Sequence, residues 1–219
     1  MKIVLMGPPG VGKGTQSKLI CDNYKIEHIS TGNILRKCIN ENTEVGKKIL
    51  SYNIYEGNFV PDDLVNNLIK DMKENGFLDK SYLLDGYPRT FSQAMFYSDE
   101  ILDKFDRYMV IYLNSSKDDI FRRISERRTC INCGYTYNLR KNAPKVVDVC
   151  DRCGSVLIQR ADDDPSVFNR RLEIYEKLTS SIVKYFMDKR VLFEVNASGE
   201  IDEVFNKIKK IIGEFYDLY

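Results

Sequence analysis

Lys2-Ile3-Val4-Leu5-Met6 is an apolar run that ends abruptly in Gly7-Pro8-Pro9-Gly10-Val11-Gly12-Lys13, and from Gly12 to Tyr24 the chain reads as a helix with Leu19, Ile20 and Tyr24 toward a core. No other stretch restricts the fold as much. A strand that feeds a glycine loop and then a helix aims backbone N–H groups and the positive end of a helix dipole at one spot, which becomes an anion site; Lys13 would reach the outer phosphates. A Ser or Thr usually follows the lysine of such loops and ligates magnesium. Here Gly14 holds that place and the hydroxyl arrives one residue later, at Thr15, so direct metal ligation by the loop is not expected.

Tyr82-Leu83-Leu84-Asp85, Tyr108 to Leu113 and Val191 to Val195 predict further buried strands, with helical patterns between them. Leu64, Val65, Leu68, Ile69 and Met72 recur at helical spacing after Pro61-Asp62-Asp63, which suits a first turn. Asp164-Pro165 opens another helix, with Phe168, Leu172, Tyr175, Leu178, Ile182 and Phe186 on one face. Strands separated by helices of this length imply an α/β fold, a parallel sheet flanked by helices on both sides. Two stretches break the alternation and read as inserts: residues 31–60, helical and polar, and residues 129–160, which hold four cysteines. Asp85 ends an apolar strand, the place of the acidic residue that orients magnesium and its waters in phosphate-loop enzymes. The lone histidine, His28, falls in a strand and reads as structural.

Cys130-x-x-Cys133 and Cys150-x-x-Cys153 match tetrathiolate zinc spacing, with Gly134 and Gly154 placed to permit tight turns. Four thiolates leave no open coordination position, so the metal should be structural and should order a segment too small for a core of its own. Cys21 and Cys38 lie outside the pattern and read as ordinary thiols. A redox pair or a nucleic-acid zinc ribbon would use similar spacing. Residues 129–160 carry Arg140, Lys141, Lys145, Arg152 and Arg160 against Asp148 and Asp151, a modest net +3 that is not striped as nucleic-acid binding would require and that suits closure over phosphates.

Three ordered motifs, Gly7-x-Pro9-Gly10-x-Gly12-Lys13-Gly14-Thr15, Ser30-Thr31-Gly32-x-x-x-Arg36 and Leu84-Asp85-Gly86-Tyr87-Pro88-Arg89-Thr90, resemble those of adenylate kinases, and the resemblance runs from Met1 to about Gly213. It implies a P-loop core (1–30, 61–126 and 164–219), an insert that binds the nucleoside monophosphate (31–60) and a zinc lid (127–163). It also implies reversible phosphoryl transfer from magnesium-bound ATP to AMP, giving two ADP. ATP would lie on Gly10, Val11, Gly12, Lys13, Gly14 and Thr15, its adenine near Arg123, Tyr137 and Gly199. AMP would be held by Thr31, Gly32, Arg36, the backbone of Asn58, Phe59 and Val60, Gly86, Arg89 and Gln93. Lid arginines Arg127, Arg160 and Arg171 would close on the phosphates, and with Lys13 and Arg89 would carry catalysis; Asp162, Asp163 and Asp164 read as partners of the hinge arginines rather than metal ligands, and the first two stand at family positions. Planar guanidinium forks neutralise and align phosphate oxygens better than lysine does. Asn33, Glu126 and Asn138 depart from the family's common Asp, Gly and His. The nearest rival is a kinase for UMP or CMP, against which the long lid argues.

Lys plus Arg total 33 and Asp plus Glu 32, so no overall field draws the chain to nucleic acid or anionic membranes. The opening residues lack the apolar region of a signal peptide, and no apolar stretch approaches the roughly 20 residues a membrane helix needs. Six cysteines without an export signal point to a reducing compartment. The expectation is a cytoplasmic monomer whose partners are ATP, AMP and ADP, with no nucleic acid and no membrane.

Overall fold

A computed structural model describes residues 1–52 and 60–217. Five parallel strands form the central sheet in the order β2-β3-β1-β4-β8: β1 (Lys2–Met6), β2 (Glu27–Ser30), β3 (Tyr82–Asp85), β4 (Tyr108–Asn114) and β8 (Leu192–Asn196). Alternation along β1 sorts the core into two layers. Val4 and Met6 join Leu84 and Val110 beneath Val65 and Ile69 of α4 (Asp62–Glu74) and Ile182 and Phe186 of α7 (Pro165–Asp188). Ile3 and Leu5 face the other way, onto Ile20 of α1 (Lys13–Tyr24) and Val204, Ile208 and Ile212 of α8 (Ile201–Asp217). The inner strands β1, β3 and β4 are buried on both faces and have no polar side to alternate with, which is why they read as apolar runs, whereas the edge strand β2, Glu27-His28-Ile29-Ser30, does not.

Between β2 and α4 the chain makes two packed helices, α2 (Thr31–Asn40) and α3 (Glu44–Leu50), and no strand among the described residues. After β3 comes α5 (Phe91–Phe96), which continues as one π-helical turn, Tyr97–Ile101. The helix α6 (Lys117–Ser125) packs Ile120 and Ile124 on Phe168 and Leu172 of α7. A separate antiparallel sheet follows, ordered β6-β5-β7, from β5 (Arg127–Cys130), β6 (Thr136–Asn138) and β7 (Leu157–Ile158). The last core strand starts at Leu192, one residue later than the apolar run suggests, because Val191 still closes the end of α7 by donating to the Phe186 carbonyl. Among the described residues no helix is long and apolar enough to cross a membrane.

Candidate active site

Strand order reverses about β1, and the crevice beyond the carboxyl ends of its strands is where open α/β sheets receive ligands. A cavity opens there, lined among others by Gly7, Pro9, Lys13, Pro88, Arg89 and Arg171. The predicted loop occupies the end of β1. Gly7 has φ +148°, and a Cβ there would stand 2.6 Å from the Leu113 carbonyl oxygen, so only glycine lets the loop sit this close to β4. Lys13 Nζ folds back onto the loop and donates to the carbonyls of Gly7 at 2.7 Å and Pro8 at 2.9 Å. Burial pushes this ammonium down to about 7; Asp85 opposes the fall, and Arg89, Arg171 and Arg127 deepen it. The site holds more cation than its own carboxylates can balance.

Asp85 is 9% exposed at the tip of β3. Burial alone would raise its carboxyl, but the His28 ring at 3.5 Å, Lys13 and Arg89 outweigh it and hold Asp85 below the usual range. His28 is therefore structural in a specific sense: it sits on β2 beside the carboxylate at the centre of the site. The Thr31 hydroxyl, at the start of α2, donates to the Asp85 carbonyl at 3.3 Å.

Five guanidinium groups surround this centre. Arg89 Nε donates to the Gly86 carbonyl at 2.7 Å, and burial pushes the group down to about 10. Arg36 Nη2 donates to Asn33 Oδ1 at 2.7 Å, so the asparagine at the departing position still orients the arginine. Arg127 grips the buried Asp163 with two hydrogen bonds, one of them Nε to Oδ2 at 2.8 Å, and Arg171 bonds Asp162, as the hinge pairing predicts, whereas Asp164 caps α7 instead, accepting from the Ser166 N–H at 3.0 Å. Arg160 Nε donates to Thr129 Oγ1 at 2.9 Å; burial, then Arg127 and Arg36, push its guanidinium down to about 9. Arg36, Arg89, Arg160 and Arg171 are depressed by burial, and neighbouring cations add to the effect; an incoming anion relieves it.

On the far side of the loop, Arg123 Nη1 and Nη2 donate to the Val11 and Ala197 carbonyls, each at 2.6 Å, which ties the glycine loop to the turn before Gly199. Tyr137, expected near adenine, lies on β6 with its ring 2% exposed, packed with Cys130, Cys150 and Leu157, and its hydroxyl accepts from the Asp151 N–H at 2.8 Å. The alternation of β6 turns this side chain into the small core of the second sheet, which leaves the strand's backbone as the part that can meet a nucleotide. The other two departing residues pair with each other, Asn138 Nδ2 donating to Glu126 Oε2 at 3.1 Å.

The four cysteines converge. Their sulfur atoms all lie within 4.8 Å of one another, with Cys130 and Cys153 at 3.4 Å and Cys133 and Cys150 at 3.6 Å. Zinc–sulfur bonds of about 2.3 Å in a tetrahedron require sulfurs about 3.8 Å apart, so the set fits a tetrathiolate ion. Gly134 and Gly154 turn with φ +69° and +71°, as tight metal-binding turns demand. Cys21, half-buried in the second core layer, has its thiol pushed up to about 12 by burial, then by Asp22 and Asp85.

Lys13, Asp85, Gly86, Arg89, Arg171, Arg36, Arg127 and Arg160 thus come together about one crevice, Thr31 and Gly32 border it, and Val60 packs on the core layer beneath α4. Asn58 and Phe59 lie outside the described residues. Sequence reading missed the ties between the second sheet and the core, Lys141 to Glu200 at 2.7 Å and Lys18 over the Tyr135 ring at 4.6 Å, and the contacts of Asp62 and Thr90 with Gln93. Apart from the Thr90–Gln93 contact, which is a local helix cap, these join residues far apart in the chain and follow no local pattern.

The family model described as adenylate kinase matches residues 5–191. Among curated relatives, an adenylate kinase of Caldanaerobacter subterraneus subsp. tengcongensis is 43% identical over 218 residues, covering 97% of this chain and 96% of that one. One from Thermoanaerobacter sp. is 40% identical over 220 residues, 98% of this chain and 99% of its own. One from Clostridium kluyveri is 41% identical over 219 residues, 97% of this chain and 98% of its own.

Proposed function

The chain belongs to the adenylate kinase family, and from that premise we propose that it moves the terminal phosphoryl group of ATP onto AMP, reversibly, to give two ADP. It is a transferase of the nucleoside monophosphate kinase class. The observation that carries the site assignment is the convergence of Lys13, Arg36, Arg89, Arg127, Arg160 and Arg171 on one crevice, six cations that Asp85, Asp162 and Asp163 do not balance. Phosphoryl transfer asks mainly for positioning and for cations around the migrating group, and this ring supplies both without a side-chain nucleophile.

In this reading the triphosphate lies on Gly10, Val11, Gly12, Lys13, Gly14 and Thr15, and Lys13 exchanges its two loop carbonyls for phosphate oxygens. The adenine of ATP sits near Arg123, Tyr137 and the backbone around Gly199. AMP occupies Thr31, Gly32, Arg36, Val60, Gly86, Arg89 and Gln93, with its phosphate toward Arg36 and Arg89. Arg127, Arg160 and Arg171 complete the ring from above. Magnesium arrives with ATP, where it neutralises the outer phosphate oxygens; Asp85 holds its waters. Residues 31–60 form the AMP-binding insert, residues 127–163 the lid, and 1–30, 61–126 and 164–219 the core. Cys130, Cys133, Cys150 and Cys153 hold one structural zinc, which fixes the lid's shape. The enzyme acts as a cytoplasmic monomer. Closure of the lid excludes water and so prevents loss of the phosphoryl group to hydrolysis.

A coupled assay with ATP and each of AMP, GMP, CMP and UMP tests this reading. AMP should be preferred by a wide margin; a preference for another base would overturn it.

A further inference from the structure

Asp62 opens α4, but both oxygens of its carboxylate reach across to the chain after β3. Oδ2 accepts from Thr90 Oγ1 at 2.6 Å and Oδ1 accepts from Gln93 Nε2 at 2.7 Å. At the other end of the same amide, Gln93 Oε1 accepts from the Arg89 backbone N–H at 2.8 Å. Thr90 closes the loop, since its hydroxyl also accepts from the Gln93 backbone N–H at 3.1 Å.

Every direction in this network is forced. A backbone N–H can only donate, so Arg89 demands the amide oxygen. A carboxylate can only accept, so Asp62 demands the amide nitrogen. Turning the amide over would set two donors together at Arg89 and two acceptors together at Asp62, in a side chain only 3% exposed. Buried polar groups without partners are costly enough to hold one orientation.

A primary amide has two N–H donors and two oxygen lone pairs. One of each is used here, which leaves one N–H and one lone pair in a fixed sense. Adenine presents an amine donor beside a ring acceptor, whereas guanine carries an acceptor oxygen where adenine carries the amine. A free amide can turn to suit either edge; a locked one suits only the first.

We propose that Asp62 is a positioning residue that sets base specificity: by locking the Gln93 amide it makes the acceptor site read 6-aminopurine monophosphates and reject 6-oxopurine ones. This rests on the reading that Gln93 faces the base of the monophosphate.

The test compares kcat/KM for AMP and GMP in wild type, Asp62→Ala and Gln93→Met, with melting temperature and KM for ATP as controls. In Asp62→Ala a water takes the carboxylate's place; because water donates as readily as it accepts, it no longer dictates the amide's sense. The AMP:GMP ratio should then fall about 5- to 100-fold, the range for one mismatched base contact, while KM for ATP stays put. An equal loss on both bases, or an unchanged ratio in Asp62→Ala alongside a collapsed one in Gln93→Met, would overturn the lock and leave Gln93 as the base reader. An unchanged ratio in both variants would withdraw Gln93 itself. The intact protein gives a reading that needs no variant to fold: a Gln93 side-chain N–H held by Asp62 that exchanges with solvent far more slowly than its geminal partner supports the lock, and equal exchange of the two refutes it.

Discussion

The crevice at the end of β1 and the second sheet above it carry charges of the same kind but are held in place by different means. Around the crevice, Asp85 ends β3, and Lys13 and Arg89 follow β1 and β3 by short loops, on a sheet whose residues Val4, Leu84 and Val110 are wholly buried. The second sheet has a core of four residues, two of them cysteines, while Ile131, Val146, Val147 and Val156 are each more than half exposed. Burial thus orders the lower half of the site, its floor. The upper half, its cover, has four converging cysteines that could hold a metal, and ion pairs, in place of such a core, because about thirty residues cannot remove enough apolar surface from water to order themselves.

Substitutions in the floor should have the largest effect. Lys13→Met and Arg89→Ala should each lower turnover by about three decades or more, the range for one arginine on a transferring phosphoryl group, with an unchanged circular dichroism spectrum. Turnover near wild type in either would separate the crevice from the chemistry. Metal removal attacks the cover and should spare the floor. One zinc per chain is expected by elemental analysis, and chelation should lower the melting temperature by several degrees, with about 2 to 4 °C for each kcal/mol lost at this size. Amide exchange should then speed up through residues 130–158 and stay slow in β1, β3 and β4; uniform loss of protection would mean that the two regions are ordered together.

Proton linkage sharpens the contrast at a smaller scale. Burial holds the Lys13 ammonium at about 7 when no phosphate neighbours it. A bound polyphosphate raises that value, so at pH 8 binding must take up a proton and must weaken as pH rises from 7 to 8. Calorimetry of an ATP analogue in buffers of differing ionisation enthalpy measures the uptake; proton release would reverse the assignment. The smallest effect is expected at the rim, where Lys141 meets Glu200. Exposed ion pairs contribute about 0.2 to 1 kcal/mol, so Lys141→Ala should raise KM for ATP by no more than about fivefold, and by less at high salt.

Asp85, the glycine loop and the cysteine pairs were legible in the sequence because each is a contiguous pattern whose meaning depends on its immediate neighbours. The two helical faces of α4 and α7 were legible for the same reason, although Leu178 is only half-buried while Thr179 beside it is buried. The direction of the Tyr137 ring was not legible, because the side to which a three-residue strand turns its aromatic ring depends on what covers the sheet. The partners of Gln93 could not be read at all, since Asp62 lies 31 residues away and its own local role, opening a helix, already accounted for it.

The residues alone determined the strand–loop–helix anion site, the alternation that requires a parallel sheet, the tetrathiolate spacing and the family, since these depend on short-range periodicity and on the fixed chemistry of glycine, cysteine and lysine. Only the tertiary structure decided the strand order, the packing of His28 on Asp85, the enclosure of Tyr137 and the one-way orientation of the Gln93 amide. Those outcomes depend on which distant groups a buried donor or acceptor meets. A buried polar atom takes whatever partner the packing brings to it, and one dimension of sequence does not contain that information.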